Sequence, residues 1–132
     1  MTTREEAIFF CNSLENVLED YPFHDSNWAL MRHTGNNKTF ACIYEHMDQI
    51  WINVKCDPAW RDFWRSAFES IVPAYHMNKE HWNSIILDGT IPQEDIERLI
   101  LESYELTKPK KKENRGMRQM NNLSRTLKIR SY

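Results

Sequence analysis

The chain has 132 residues, 41% hydrophobic, 12% aromatic and 27% charged, enough for one globular domain around a single core. No apolar run approaches the roughly 20 residues of a membrane-crossing helix, and the acidic opening MTTREEAIFF lacks the residue order of a signal peptide. The net charge of −2 conceals a split: residues 1–108 carry 9 Lys and Arg against 18 Asp and Glu, a net −9, whereas residues 109–132 carry 8 against 1, a net +7.

Thr3 with Glu6 forms a capping box, and Ala7, Cys11, Leu14 and Leu18 recur at helical spacing. This predicts a first helix ending near EDYP, where Pro22 disfavours helical geometry at Tyr21. Three strands follow: WALMRH, then KTFACIYE after the turn TGNN, then IWINVKC after the turn HMDQ. The last alternates, with Ile50, Ile52, Val54 and Cys56 on one face and Trp51, Asn53 and Lys55 on the other, as in an antiparallel meander with one buried face.

DPAWRDFWRSAFESI is the clearest helix. Asp57 caps it, Pro58 opens it, and Trp60, Phe63, Trp64, Ala67, Phe68 and Ile71 make one broad apolar stripe. VPAYHM and WNSIIL read as two more strands, joined by NKEH and closed by a turn at Asp88-Gly89. A final helix runs through IPQEDIERLILESYELTK, with Ile96, Leu99, Ile100 and Leu106 on one side. Helix, three strands, helix, two strands, helix is an α+β order: a single domain over residues 1–108, an antiparallel sheet of about five strands packed against helices. Residues 109–132 are expected to be a basic, flexible tail in which Met120, Leu123 and Leu127 form one weak helical face.

Little in this pattern points to catalysis. His76 and His81 are five apart, without a carboxylate or cysteine at ligand spacing, so structural histidines in a polar turn are favoured over a metal site. There is no GxSxG, and three glycines give no phosphate-cradling loop. Cys11, Cys42 and Cys56 are widely spaced without a CxxC, which fits buried, reduced thiols in a cytoplasmic protein. A non-enzymatic protein without cofactor or metal is therefore expected.

Aromatic and basic residues carry the binding argument. Trp51, Asn53 and Lys55 share the sheet face away from the core, and Lys79, His81 and Trp82 lie in the turn between two other strands. Cations beside aromatic planes suit nucleic acid through phosphate neutralisation and stacking. Equally, a helix covering that face would make the tryptophans core and the lysines its rim. The eight tail cations, Lys110, Lys111 and Lys112 among them, suit non-specific, salt-dependent binding to a polyanion, or only solvation.

INVKCDP, YHMNKEHWNSIILDG and IPQEDIERLILESYELT together resemble the MmcQ/YjbR family of small bacterial proteins, and the likeness spans about residues 3–108. The resemblance implies a compact α+β domain of secretion-chaperone-like architecture and a DNA-binding role. By position it implicates Lys55, Tyr75, His76, Asn78, Lys79, His81, Trp82 and Asn83. Where relatives often carry Pro-Gly-Tyr-His, this chain has Pro73-Ala74-Tyr75-His76, and an alanine there would resist a positive φ.

Within that run Tyr75 and Trp82 are expected to pack, Asn78 to cap the turn, and His76 and His81 to hydrogen-bond its backbone. Two functions follow as expectations. One is non-specific DNA binding through Lys55, Asn78 and Lys79, through Arg32 and Lys38 flanking the first hairpin, and through the tail. The other is a protein-interaction or chaperone-like module that takes up a partner on an exposed aromatic face. No membrane partner is expected.

Overall fold

The structure, a computed structural model, describes residues 1–110. The predicted helical face at Met120, Leu123 and Leu127, with the rest of the tail beyond Lys110, lies outside the described residues.

Helix α1 (Arg4–Asn12) opens on the capping box expected for it: the Thr3 hydroxyl accepts from the Glu6 N–H, and the Glu6 carboxylate accepts from the Thr3 N–H. It stops nine residues short of Tyr21. Asn16, at φ 58, reverses the chain, and Val17–Asp20 becomes strand β1, antiparallel to β2 (Ala29–His33). The helical spacing of Leu14 and Leu18 was therefore misleading. Leu14 rests half-buried against the core, and Leu18 points outward from a sheet edge.

β1 is also the reason the sheet has six strands rather than about five. With β3 (Thr39–His46), β4 (Gln49–Lys55), β5 (Ile71–Pro73) and β6 (Trp82–Ile86), the order is β1-β2-β3-β4-β6-β5, antiparallel throughout. Met47 and Asp48 turn the β3–β4 hairpin at φ 52 and 62, the paired left-handed geometry that matches strand twist. Gly89, at φ 86, supplies the positive φ of the Asp88-Gly89 turn.

One sheet face carries the main core. Met31, Ala41, Ile43, Ile52, Val54 and Ile85 meet Ala7 and Cys11 of α1 and Ile96, Leu99 and Ile100 of α3 (Gln93–Thr107). Helix α2 (Pro58–Ala67) lies at the β5–β6 edge of this layer, so only one line of its stripe reaches the core. Trp64 is buried, whereas Trp60 and Phe63 are 53% and 54% exposed. Phe68 already has extended backbone, and Ile71 begins β5.

VPAYHM forms a strand only through Pro73. The ladder continues for one further bond, Ala74 N–H to the Trp82 carbonyl at 3.3 Å, and then residues 75–81 leave the edge and fold over the second sheet face. The positive φ in this run falls on His76, at 63, and not on Ala74, so the alanine is not strained.

Candidate nucleic-acid interface

The second sheet face is covered by its own connecting segment rather than by a helix. Leu30, Cys42 and Tyr44 form a small buried cluster, closed by Trp28, Trp51, Tyr75 and Met77. Trp28 stacks on Tyr44 at 3.9 Å between centroids, and Tyr75 stacks on His46 at 4.2 Å. Beneath these rings runs a buried polar network. Asn53 Nδ2 donates to the Tyr75 carbonyl (2.8 Å), while Tyr44 Oη and Ser84 Oγ both donate to Asn53 Oδ1 (2.9 and 2.5 Å). The Tyr75 N–H completes it by donating to Ser84 Oγ at 2.9 Å. Every polar atom in it has a partner, as burial requires.

Two arginines of α2 fix the far end of the segment. Arg65 Nε donates to Asn83 Oδ1 (2.7 Å) and its Nη2 to the Lys79 carbonyl (2.5 Å), and Arg61 Nη1 reaches the Glu80 carbonyl at 3.3 Å. Asn78 makes the turn as expected, its Oδ1 accepting from the Glu80 N–H at 2.8 Å. The histidines do not behave as expected. Both are exposed, and neither imidazole hydrogen-bonds any described residue; His81 serves through its carbonyl, which accepts from the Cys56 N–H at 2.8 Å. Tyr75 packs in the aromatic cluster, and Trp82 lies half-buried directly across from Lys55.

Strand register gathers the candidate cations. Arg32 is the last residue but one of β2, Lys38 precedes β3, Lys55 ends β4 and Lys79 precedes β6, all at one end of the sheet. The C-terminus of α3 arrives there too: Asn36 Nδ2 donates to the Thr107 carbonyl at 2.9 Å, and a Cβ on Gly35 would come within 2.9 Å of Pro109. Lys110 therefore leaves the domain beside Lys38. Lys111 and Lys112 lie outside the described residues. The opposite end, at the β3–β4 turn and the starts of α1 and α3, holds Glu5, Glu6, Glu45, Asp48, Asp88, Glu94 and Asp95.

The cations at this end differ in availability. Arg32 is bound to Asp20 at 2.9 Å and to the Asn37 carbonyl at 3.1 Å, and Arg61 and Arg65 also meet Asp62. Lys108 meets Glu105 at 3.5 Å. Lys38, Lys55, Lys79 and Lys110 make no ion pair with a described residue. Besides the paired Asp20, Asp62 and Glu105, the carboxylates Asp57, Glu80 and Glu102 share this end, Asp57 engaged in capping α2 through the Ala59 N–H at 2.9 Å.

An open cleft of about 640 Å³ lies over the second sheet face, lined by Trp51 and by residues 72–79, Lys79 of the basic end among them. Elsewhere the reactive groups are quiet. Burial pushes the Cys11 and Cys42 thiols up to about 12 and Cys56 up to about 11, far from the range of a nucleophilic thiolate. Among the described residues, no three His, Cys, Asp or Glu side chains gather to hold a metal, and no helix is long and apolar enough to cross a membrane.

Sequence reasoning missed Arg65, Ser84 and the role of Asn53. The signal lay in the polar residues Asn53 and Ser84, placed mid-strand at directly paired positions and both fully buried.

The family model described as YjbR matches residues 12–106. The uncharacterised protein YyaQ of Bacillus subtilis is 37% identical over 119 residues, 82% of this chain and 100% of that protein. The uncharacterised protein YjbR of Escherichia coli is 26% identical over 80 residues, 61% of this chain and 68% of that one. Among solved structures, a Deinococcus radiodurans protein superposes with a TM-score of 0.76 at 29% identity, covering 92% of this chain and 89% of its own. A Pseudomonas syringae protein gives 0.73 at 29% identity, covering 80% and 99%.

Proposed function

The chain belongs to the YjbR family, and from that premise we propose that it is a non-enzymatic nucleic-acid-binding domain. One observation carries the reading: Lys38, Lys55, Lys79 and Lys110, far apart in sequence, meet at one end of the sheet with no described carboxylate paired to them. Asp20, Asp62 and Glu105 at this end are engaged by Arg32, Arg61, Arg65 and Lys108, so in a body of net −9 the four lysines remain as unpaired cations to meet a polyanion. In sequence, Lys111 and Lys112 follow directly on Lys110. Binding of this kind is non-specific and strongly salt-dependent.

The experiment compares the full chain with one ending at Lys110, each titrated against a mixed-sequence nucleic acid over increasing salt. Binding by both, with a steeper salt slope for the full chain, supports a folded-end site extended by the tail. Binding by the full chain alone would assign it to the tail and remove the folded end from the account.

A second reading, a protein-interaction module, is favoured by Trp60 and Phe63, which are exposed side by side with centroids 5.6 Å apart. The exposed aromatic surface then lies on α2 and not on the sheet. A cross-linked partner that disappears in Trp60→Ala with Phe63→Ala, at an unchanged melting temperature, would support it.

A further inference from the structure

We propose that the cleft over the second sheet face, which shares Lys79 with the basic end, takes an unpaired nucleobase, which makes this a site for single-stranded rather than duplex nucleic acid; the inference rests on the nucleic-acid reading above. Its lining divides by chemistry. Trp51, Tyr75 and His76 bring aromatic surface and Val72 an aliphatic contact, whereas Asn78 and Lys79 bring polar groups. A planar ring with apolar faces, polar edges and an attached phosphate matches that division. The ring meets aromatic and aliphatic surface, and the phosphate meets the Lys79 ammonium.

The polar groups are free for the task. Asn78 Oδ1 is occupied by the Glu80 N–H, which leaves the amide NH₂ to donate to a base edge or a phosphate. Lys79 makes no ion pair with a described residue, and its carbonyl is held by Arg65, so the backbone that carries the ammonium is fixed. His76 is held at φ 63, a left-handed conformation disfavoured for a non-glycine residue. Its imidazole is exposed, 3.9 Å from the Tyr75 ring between centroids, and bonds no described residue. A left-handed residue whose ring packs on Tyr75 while its ring nitrogens bond no described residue has the character of a contact residue.

A duplex is excluded by reach. Its bases are stacked on their neighbours, and only a base out of the stack can enter a cleft beside a lysine. The basic pole would then track the backbone of the same strand, Lys79 belonging to both features.

The test uses the full chain and three probes of equal length: a mixed-sequence single strand, the corresponding duplex, and a single strand in which abasic sugars replace the bases. The expected result is a single strand bound at least about tenfold more tightly than the abasic strand, as one stacked base would give, and more tightly than the duplex. His76→Gly, which relieves the backbone while removing the ring, should weaken only the first of the three. Equal binding of normal and abasic strands overturns the base cleft and leaves the phosphate-binding pole standing. Binding of none of the three overturns both.

Discussion

Asn53 Nδ2 donates to the Tyr75 carbonyl at 2.8 Å, and this bond ties the segment over the second sheet face to the sheet itself. Asn53 is fully buried, and its Oδ1 also accepts from Tyr44 and Ser84. Replacing it with leucine would leave the Tyr75 carbonyl, the Tyr44 hydroxyl and the Ser84 hydroxyl short of a partner in a dry site. Asn53→Leu should cost about 3 kcal/mol in urea unfolding. A loss below about 1 kcal/mol would show that ring stacking alone holds the segment.

Arg65 spans two partners at once, Asn83 Oδ1 through Nε and the Lys79 carbonyl through Nη2. A lysine carries its three donors on a single nitrogen and cannot reproduce that fork. Arg65→Lys should therefore resemble Arg65→Ala, with a loss of about 2 kcal/mol and faster amide exchange across residues 79–82. Full rescue by lysine would mean that charge, not geometry, is what the turn requires.

The alternation of β4, the caps of α1 and α2, the turn at Asp88-Gly89 and most of α3 could be read from the sequence because they are local. β1 could not. Val17–Asp20 is a strand only because β2 offers an edge, and Leu18 fits a helical period equally well. The family run was legible as unusual, but its roles were not. Asn83 is held by an arginine 18 residues earlier, and Tyr75 meets His46 across a fold that no spacing rule describes. The basic pole became visible only when antiparallel register brought Lys38, Lys55 and Lys79 to one end.

His33 is buried, and burial holds its pKa below the ordinary histidine value. The Thr107 hydroxyl donates to the Ser103 carbonyl at 2.8 Å, so the 2.8 Å contact between His33 Nε2 and Thr107 Oγ1 must use a proton on Nε2. The unfolded chain takes up a proton near pH 6.5 while the folded chain does not. Stability should accordingly fall as pH drops from about 6.5 and stay flat above it. His33→Gln keeps a donor and removes the titration, so its urea midpoint should change less between about pH 7 and about pH 5 than the parent's. Glu102, raised by burial, acts in the opposite sense, but the comparison of variant and parent cancels it. An identical change in both would contradict the assignment.

Cys11, Cys42 and Cys56 are buried and held far above neutrality as thiols. None should react with a thiol reagent at about pH 8 in the folded chain, and all three should react in denaturant. Rapid native-state labelling of one would mark a local opening at that site.

The most direct test of the basic pole is the salt dependence of single-strand binding by the full chain and by Lys55→Glu with Lys79→Glu. Lys79 is exposed, Lys55 is half-buried, and neither makes an ion pair with a described residue, so melting should change little. The account predicts weaker binding and a log–log salt slope shallower by about 0.7 for each phosphate no longer neutralised. Unchanged affinity and slope in a folded double variant would contradict it.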